Sequence, residues 1–148
     1  MPDMPDSGNP SRLLGFDFGL KQIGVASGQT LTNTATGITI LKAQDGTPDW
    51  QQLADLLGQW KPELIVVGLP LNMDGSESDL CLRARKFARR IHGRFGYKVE
   101  MVDERLTSRE AKSLTRESGN RDLTKIDHLA AALIVQSWLE NPSSGYAP

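Results

Sequence analysis

The period of apolar and polar positions changes several times along the chain, and each change marks an element. RLLGFDFG and QIGVASG are short apolar runs joined through Gly19, and TATGITIL follows as a third, β-branched run; together they predict three strands in an antiparallel meander. Thr47 and Pro48 have the chemistry of an N-cap and a first helical residue, and Trp50, Leu53, Leu56, Leu57 and Trp60 then recur on one helical face until Lys61 and Pro62 stop it. ELIVVGLP is apolar without alternation, as expected for a strand covered on both faces, which places it at the centre of the sheet. A second helix follows Gly75 and Ser76 with a stripe of Leu80, Ala84, Phe87, Ile91 and Phe95, and YKVEMVDE supplies a fifth strand. Thr107 and Glu110 have capping-box spacing and open a third helix, while Ile126, Leu129, Leu133 and Ile134 mark the core face of a fourth. The order βββ-α-β-α-β-α-α, without internal repeats, is an α/β pattern.

Composition narrows the setting. A chain of 148 residues with 39% hydrophobic content suits one domain with its own core, expected over residues 12–140. Residues 1–11 and 141–148, rich in Pro, Ser, Gly and Asn, read as loose tails. Cys81 is the single cysteine, excludes an internal disulfide, and lies within a helical pattern that would bury the thiol at least in part. With no apolar run of membrane-crossing length and no charged-then-apolar leader order, the chain is expected to be cytoplasmic and to have no membrane partner. A net charge of -1 gives no whole-molecule attraction to nucleic acid, so such binding needs a local basic face.

Three acidic positions at element ends carry the candidate chemistry. Asp17 in GFDFG is a carboxylate in an apolar strand; it can cap the turn or meet a ligand, and Lys21, Gly24, Ala26 and Ser27 leave room for a ligand near the backbone. Asp103 and Glu104 end the fifth strand, where alternation lets only one of them share the face of Asp17. Asp127 in KIDHLAA lies in the first turn of the last helix, where the helix dipole favours a carboxylate and Ala130 and Ala131 permit close approach to the sheet. Carboxylates without nearby cysteine or paired histidine suit a hard ion, Mg²⁺ or Mn²⁺, and two such ions would support phosphodiester hydrolysis without a covalent nucleophile. His128 and His92 carry little weight beside them.

On the substrate side, RARKFARRIHGR sets Arg83, Lys86, Arg90 and Arg94 at steps of three and four beside the apolar stripe. This ridge is either a solvated face or a track for a phosphate backbone. The loops LNMDGSES and SGNRDLT, the latter with Arg121, are expected to be mobile and to face the substrate.

The segments DFGLKQIGVA, VVGLPLNMDGS, VDERLTSREA and KIDHLAA resemble, in order and approximate spacing over Leu13 to Leu139, the YqgF-type family of pre-16S rRNA 5′-end nucleases, relatives of Holliday junction resolvases. The resemblance implies an RNase H-like domain, a five-stranded mixed sheet of order 3-2-1-4-5 with helices on both faces and the first strand central. It implies Asp17, Glu104 and Asp127 as the acidic triad, and Lys21, Arg83, Lys86, Arg90, Arg105 and Arg121 are the candidate nucleic-acid contacts. The substrate would be structured precursor rRNA or, in a resolvase acting as a homodimer, branched DNA. Gln22 departs from the family's usual arginine and leaves Lys21 as that loop's cation; Gly68-Leu69-Pro70 stands where the wider resolvase group has a glutamate, so Glu104 must substitute for it. Actin-like ATPases share the fold and the D-x-G turn, but one domain of this length offers half of their nucleotide cleft. A non-catalytic nucleic-acid-binding role would use the basic helix without the triad.

Overall fold

A computed structural model of the chain describes residues 11–103, 123–142, 145, 147 and 148, with the backbone alone for 123–128. The meander forms as expected: β1 (Arg12–Asp17), β2 (Gln22–Gln29) and β3 (Thr34–Gln44) pair antiparallel, with a register shift in β2 between Val25 and Ala26. A two-residue strand, β4 (Thr47–Pro48), then pairs with Ala43 and Gln44. This corrects the helix start. Asp49, not Thr47, is the N-cap of α1 (Trp50–Trp60), its Oδ1 accepting from the backbone N–H groups of Gln51 and Gln52 at 3.0 and 3.2 Å. Pro48 fits the edge of a sheet because it has no N–H to donate there. Lys61 closes α1 in the left-handed region, its N–H on the Leu57 carbonyl.

Beyond α1 come β5 (Leu64–Leu69), α2 (Asp79–Phe95), β6 (Val99–Asp103) and α3 (Leu123–Glu140). The sheet order is β4-β3-β2-β1-β5-β6, with β5 parallel to both β1 and β6. Six strands therefore replace the expected five, and the addition is the short β4; without it the order is the expected one. The ELIVVGLP strand is not the centre. All six residues of β5 are buried, but it lies one strand from the edge, and β1 takes the middle of the five longer strands.

Alternation sends the strand side chains into two cores. On one face Leu14, Phe16, Ile65, Val67, Leu69, Val99 and Met101 meet Leu53, Leu56 and Leu57 of α1 and Cys81, Ala84, Phe87, Ala88 and Ile91 of α2. On the other, Leu13, Ala26, Leu64, Val66 and Val102 meet α3. The core face of α3 is Ala131, Ile134, Val135, Trp138 and Leu139; Leu129 and Leu133, expected there, are only half-buried. The helix lies too close to the sheet for the anticipated leucine stripe: a Cβ on Gly15 would collide with Val135, and one on Gly28 with the same side chain. Helices thus cover both faces. The helix opened by Thr107 lies outside the described residues. Among the described residues no helix is long and apolar enough to cross a membrane.

Candidate active site

Asp17 is the last residue of β1, and its position follows from the alternation of that strand. Leu14 and Phe16 fill the α1/α2 core while Leu13 and Gly15 face α3, so Asp17 stands on the α3 side at the carboxyl end of the central strand. Its antiparallel partner is Gly24, and Gly68 follows Val67, the parallel partner of Phe16. Both neighbouring strand positions lack a Cβ, so neither strand places a side chain beside the carboxylate. Open parallel sheets place ligands in this location, outside the carboxyl ends of strands where the order reverses.

Asp127 lies on the α3 backbone. Val135 packs on Gly15 and on Gly28, which is level with Leu13, whereas the Ala131 carbonyl approaches the Gly15 position alone. Toward its N-terminus, α3 therefore advances along β1 in the direction of Asp17. Residue 127 is one turn, roughly 6 Å, before Ala131, and Asp17 is two residues, roughly 7 Å, beyond Gly15. Glu104 lies outside the described residues, as do Arg105 and Arg121. In β6, Val99 and Met101 face α1 and α2 whereas Val102 faces α3, so alternation sets Asp103 on the face opposite Asp17. Among the described residues no three His, Cys, Asp or Glu side chains lie close enough to hold a metal ion.

Lys21 is exposed in the β1–β2 loop, whose backbone is tied to the next hairpin: Lys21 O accepts from Ala43 N at 2.8 Å and Leu20 O from Gly46 N at 2.9 Å. The LNMDGSES loop is folded into a compact turn. Asp74 Oδ1 accepts from both the N–H and the hydroxyl of Ser76, and the Asn72 N–H donates to Ser76 O.

The basic ridge of α2 divides by partner. Arg83 donates to Asp45 Oδ1 at 2.9 Å and Asp79 Oδ2 at 3.1 Å, and those two hydrogen bonds, Asp45 first, raise its pKa. Arg85 makes a bidentate pair with Glu77, which raises the Arg85 pKa and lowers that of Glu77, and it also donates to the Ala147 carbonyl. Arg89 donates to the backbone oxygen of Pro148, and the Arg94 guanidinium lies 4.3 Å from the ring centre of Trp50. Lys86 and Arg90 remain. Both line a cleft of about 350 Å³ with Phe18, Asp45, Gly46, Thr47, Arg83 and Phe87. The sequence does not reveal this division, since Asp45 lies 38 residues from Arg83 and no local pattern pairs them.

Known proteins share the sequence pattern and the fold. A family model described as RuvX: Holliday junction resolvase matches residues 11–141. A Hahella chejuensis protein named "putative pre-16S rRNA nuclease" is 56% identical over 86% of this chain and 83% of its own length. A Marinobacter nauticus protein of the same name is 54% identical over 91% and 96%. Among solved structures, Thermus thermophilus RuvC in complex with a Holliday junction substrate gives a TM-score of 0.53 at 14% identity, covering 91% of this chain and 98% of that one. Fowlpox virus resolvase bound to Holliday junction DNA gives 0.54 at 14% identity, covering 88% and 98%. At that identity the likeness shows the fold, which is the RNase H-like fold of these resolvases.

Proposed function

The chain belongs to the RuvX family of Holliday junction resolvases, and from that premise we propose that it is a cytoplasmic, metal-dependent phosphodiester hydrolase whose residues 12–140 form the nuclease domain. Its substrate in this reading is the 5′ end of the 16S rRNA precursor, after the name its relatives carry. The observation that supports it most is Asp17, set at the carboxyl end of the central strand between two positions without side chains, on the face where α3 advances toward it.

Asp17, Glu104 and Asp127 would hold one or two Mg²⁺ or Mn²⁺ ions, and the donor chemistry fits: hard carboxylate oxygens, with glycine beside Asp17 on both neighbouring strands, at Gly24 and Gly68. Such ions, when bound, supply the positive charge that activates an attacking water and stabilises the leaving oxygen. The chain's own part is to orient and to exclude. The dense packing of α3 on Gly15 and Gly28 fixes the backbone of the helix that bears Asp127 relative to β1, which supports a shared site for the two aspartates. Lys21, together with Arg105, Arg121 and the basic face of α2, would hold the phosphate backbone.

A second reading, cleavage of branched DNA by a homodimer, is favoured by the family description and by the resolvase structures that share the fold. Single-turnover cleavage in Mg²⁺ of a precursor-rRNA end and of a four-way DNA junction, with wild type and Asp17→Asn, tests both. Asp17→Asn should reduce cleavage far beyond the roughly 10–100-fold that outer-shell substitutions cost, while nucleic-acid binding persists. Full activity of that variant would overturn the assignment of the site. Selective cleavage of the junction by a dimer would transfer the function to the second reading.

A further inference from the structure

Of the six cations on α2, four already have partners in the protein: Arg83 has two aspartates, Arg85 has Glu77, Arg89 has a backbone oxygen and Arg94 has an indole ring. Among the described residues Lys86 and Arg90 have neither a hydrogen bond nor an ion pair. They are one helical turn apart on one face, and both line the same cleft. A face evolved only for solubility gives no reason for the two unengaged cations to converge on one cavity.

The walls of that cavity are fixed independently of any ligand. Its floor is Phe18 against Phe87, ring centres 5.4 Å apart, with Trp50 stacked on Phe87 behind. One wall is the β3–β4 turn, where Asp45 and Gly46 both have positive φ; a Cβ on Gly46 would come within 2.8 Å of the Phe18 ring. That turn is held at both ends, by Gly46 N–H on the Leu20 carbonyl and by Asp45 on Arg83. Arg83 is thus a brace, and the charge of Asp45 is directed to it instead of to Lys86 or Arg90. The cleft begins one residue beyond Asp17, since Phe18 is its floor. Its volume of about 350 Å³ lies at the small end of ligand clefts, of a size for one nucleotide unit.

We infer that this cleft is a second phosphate subsite, distinct from the carboxylate centre, which takes one nucleotide of the strand flanking the scissile bond, with its phosphate between Lys86 and Arg90 and its apolar side against Phe18. The identity of the strand rests on the nuclease reading above, whereas the anion chemistry of the cleft does not. Electrostatic attraction to a phosphate needs the two charges in place, and among the described residues the acid that lines the cleft, Asp45, is paired with Arg83.

The test uses the full chain and a fluorescein-labelled oligonucleotide of the cleaved strand, with binding measured without metal across a salt series. Lys86→Gln with Arg90→Gln should weaken binding and lower the slope of log K against log salt by roughly one for each phosphate that is no longer neutralised. The charge-retaining pair Lys86→Arg with Arg90→Lys should keep the slope, which separates charge from packing. A single neutral methylphosphonate, moved along the strand, should weaken wild-type binding at one flanking position and leave the double glutamine variant unaffected there. An unchanged slope and an unchanged position map in a folded double variant would overturn the subsite. If adenosine monophosphate protects the cleft while strand binding ignores the variant, the strand assignment is overturned in favour of a free nucleotide. Failure of the nuclease reading is detected separately, by undiminished cleavage in Asp17→Asn.

Discussion

At the scale of single residues, the closest approach between helix and sheet depends on what is missing. Gly15 on β1 and Gly28 on β2, which is level with Leu13, lie diagonally across the strand pair, and the two methyl groups of Val135 occupy the space where their side chains would be. Val135 is fully buried and β-branched, so it has no alternative rotamer into which to retreat. Gly15→Ala should therefore destabilise the fold by about 1–3 kcal/mol, the usual cost of overpacking a core, as read by urea denaturation. Val135→Ala in the same chain should recover part of that stability, because the two changes act on one volume. Strictly additive effects would show that the contact does not limit the packing.

At the scale of elements, α1 shows how a start signal is resolved by competition. Thr47-Pro48 and Asp49 both carry capping chemistry, and the outcome turns on β3, which extends through Gln44 and recruits Thr47 and Pro48 as a paired strand. Asp49 then does the capping, with two backbone N–H groups on one carboxylate oxygen. Asp49→Ala should cost about 1 kcal/mol, within the range for N-cap removal, whereas Thr47→Ala should cost less because its side chain caps nothing. Thermal unfolding of the two variants measures the difference, and a larger effect of Thr47→Ala would restore the earlier start.

At the scale of the whole molecule, the sheet determines which carboxylates can meet. Asp17 ends β1 on the α3 face, and β6 presents Val102 to that face and Met101 to the other, so Asp103 falls opposite Asp17. The proposed assignment therefore gives the metal-binding role to the next residue in sequence, Glu104. Glu104→Gln should abolish metal-dependent turnover, and Asp103→Asn should change stability by about 1 kcal/mol with turnover retained. Calorimetric metal titration together with single-turnover cleavage of both variants makes the comparison. Metal binding abolished in Asp103→Asn and kept in Glu104→Gln would invert the assignment.

The sequence by itself determined the types of the longer described elements, the meander and the two-sided burial of β5, because each of these is written in local periodicity: alternation for half-covered strands, steps of three and four for helices, and an unbroken apolar run for a covered strand. It also marked Asp17 as a charge inside an apolar run, since burial of a carboxylate needs a reason that neighbouring residues do not supply. Periodicity pointed to β5 as central, and only the family resemblance and the tertiary structure put β1 there, because sheet order depends on pairing between distant segments. Tertiary structure alone chose Asp49 as the cap, through pairing of Thr47 and Pro48 with β3, and it shifted the buried face of α3 from Leu129 and Leu133 to Ala131, Val135 and Trp138 through the approach that Gly15 and Gly28 allow. The basic ridge shows the same limit. Its six cations are visible as a run, but which of them are engaged depends on Asp45, Glu77 and the backbone of Ala147 and Pro148. Asp45 and the two tail residues meet α2 only after the chain has folded, and no spacing along the sequence encodes those contacts.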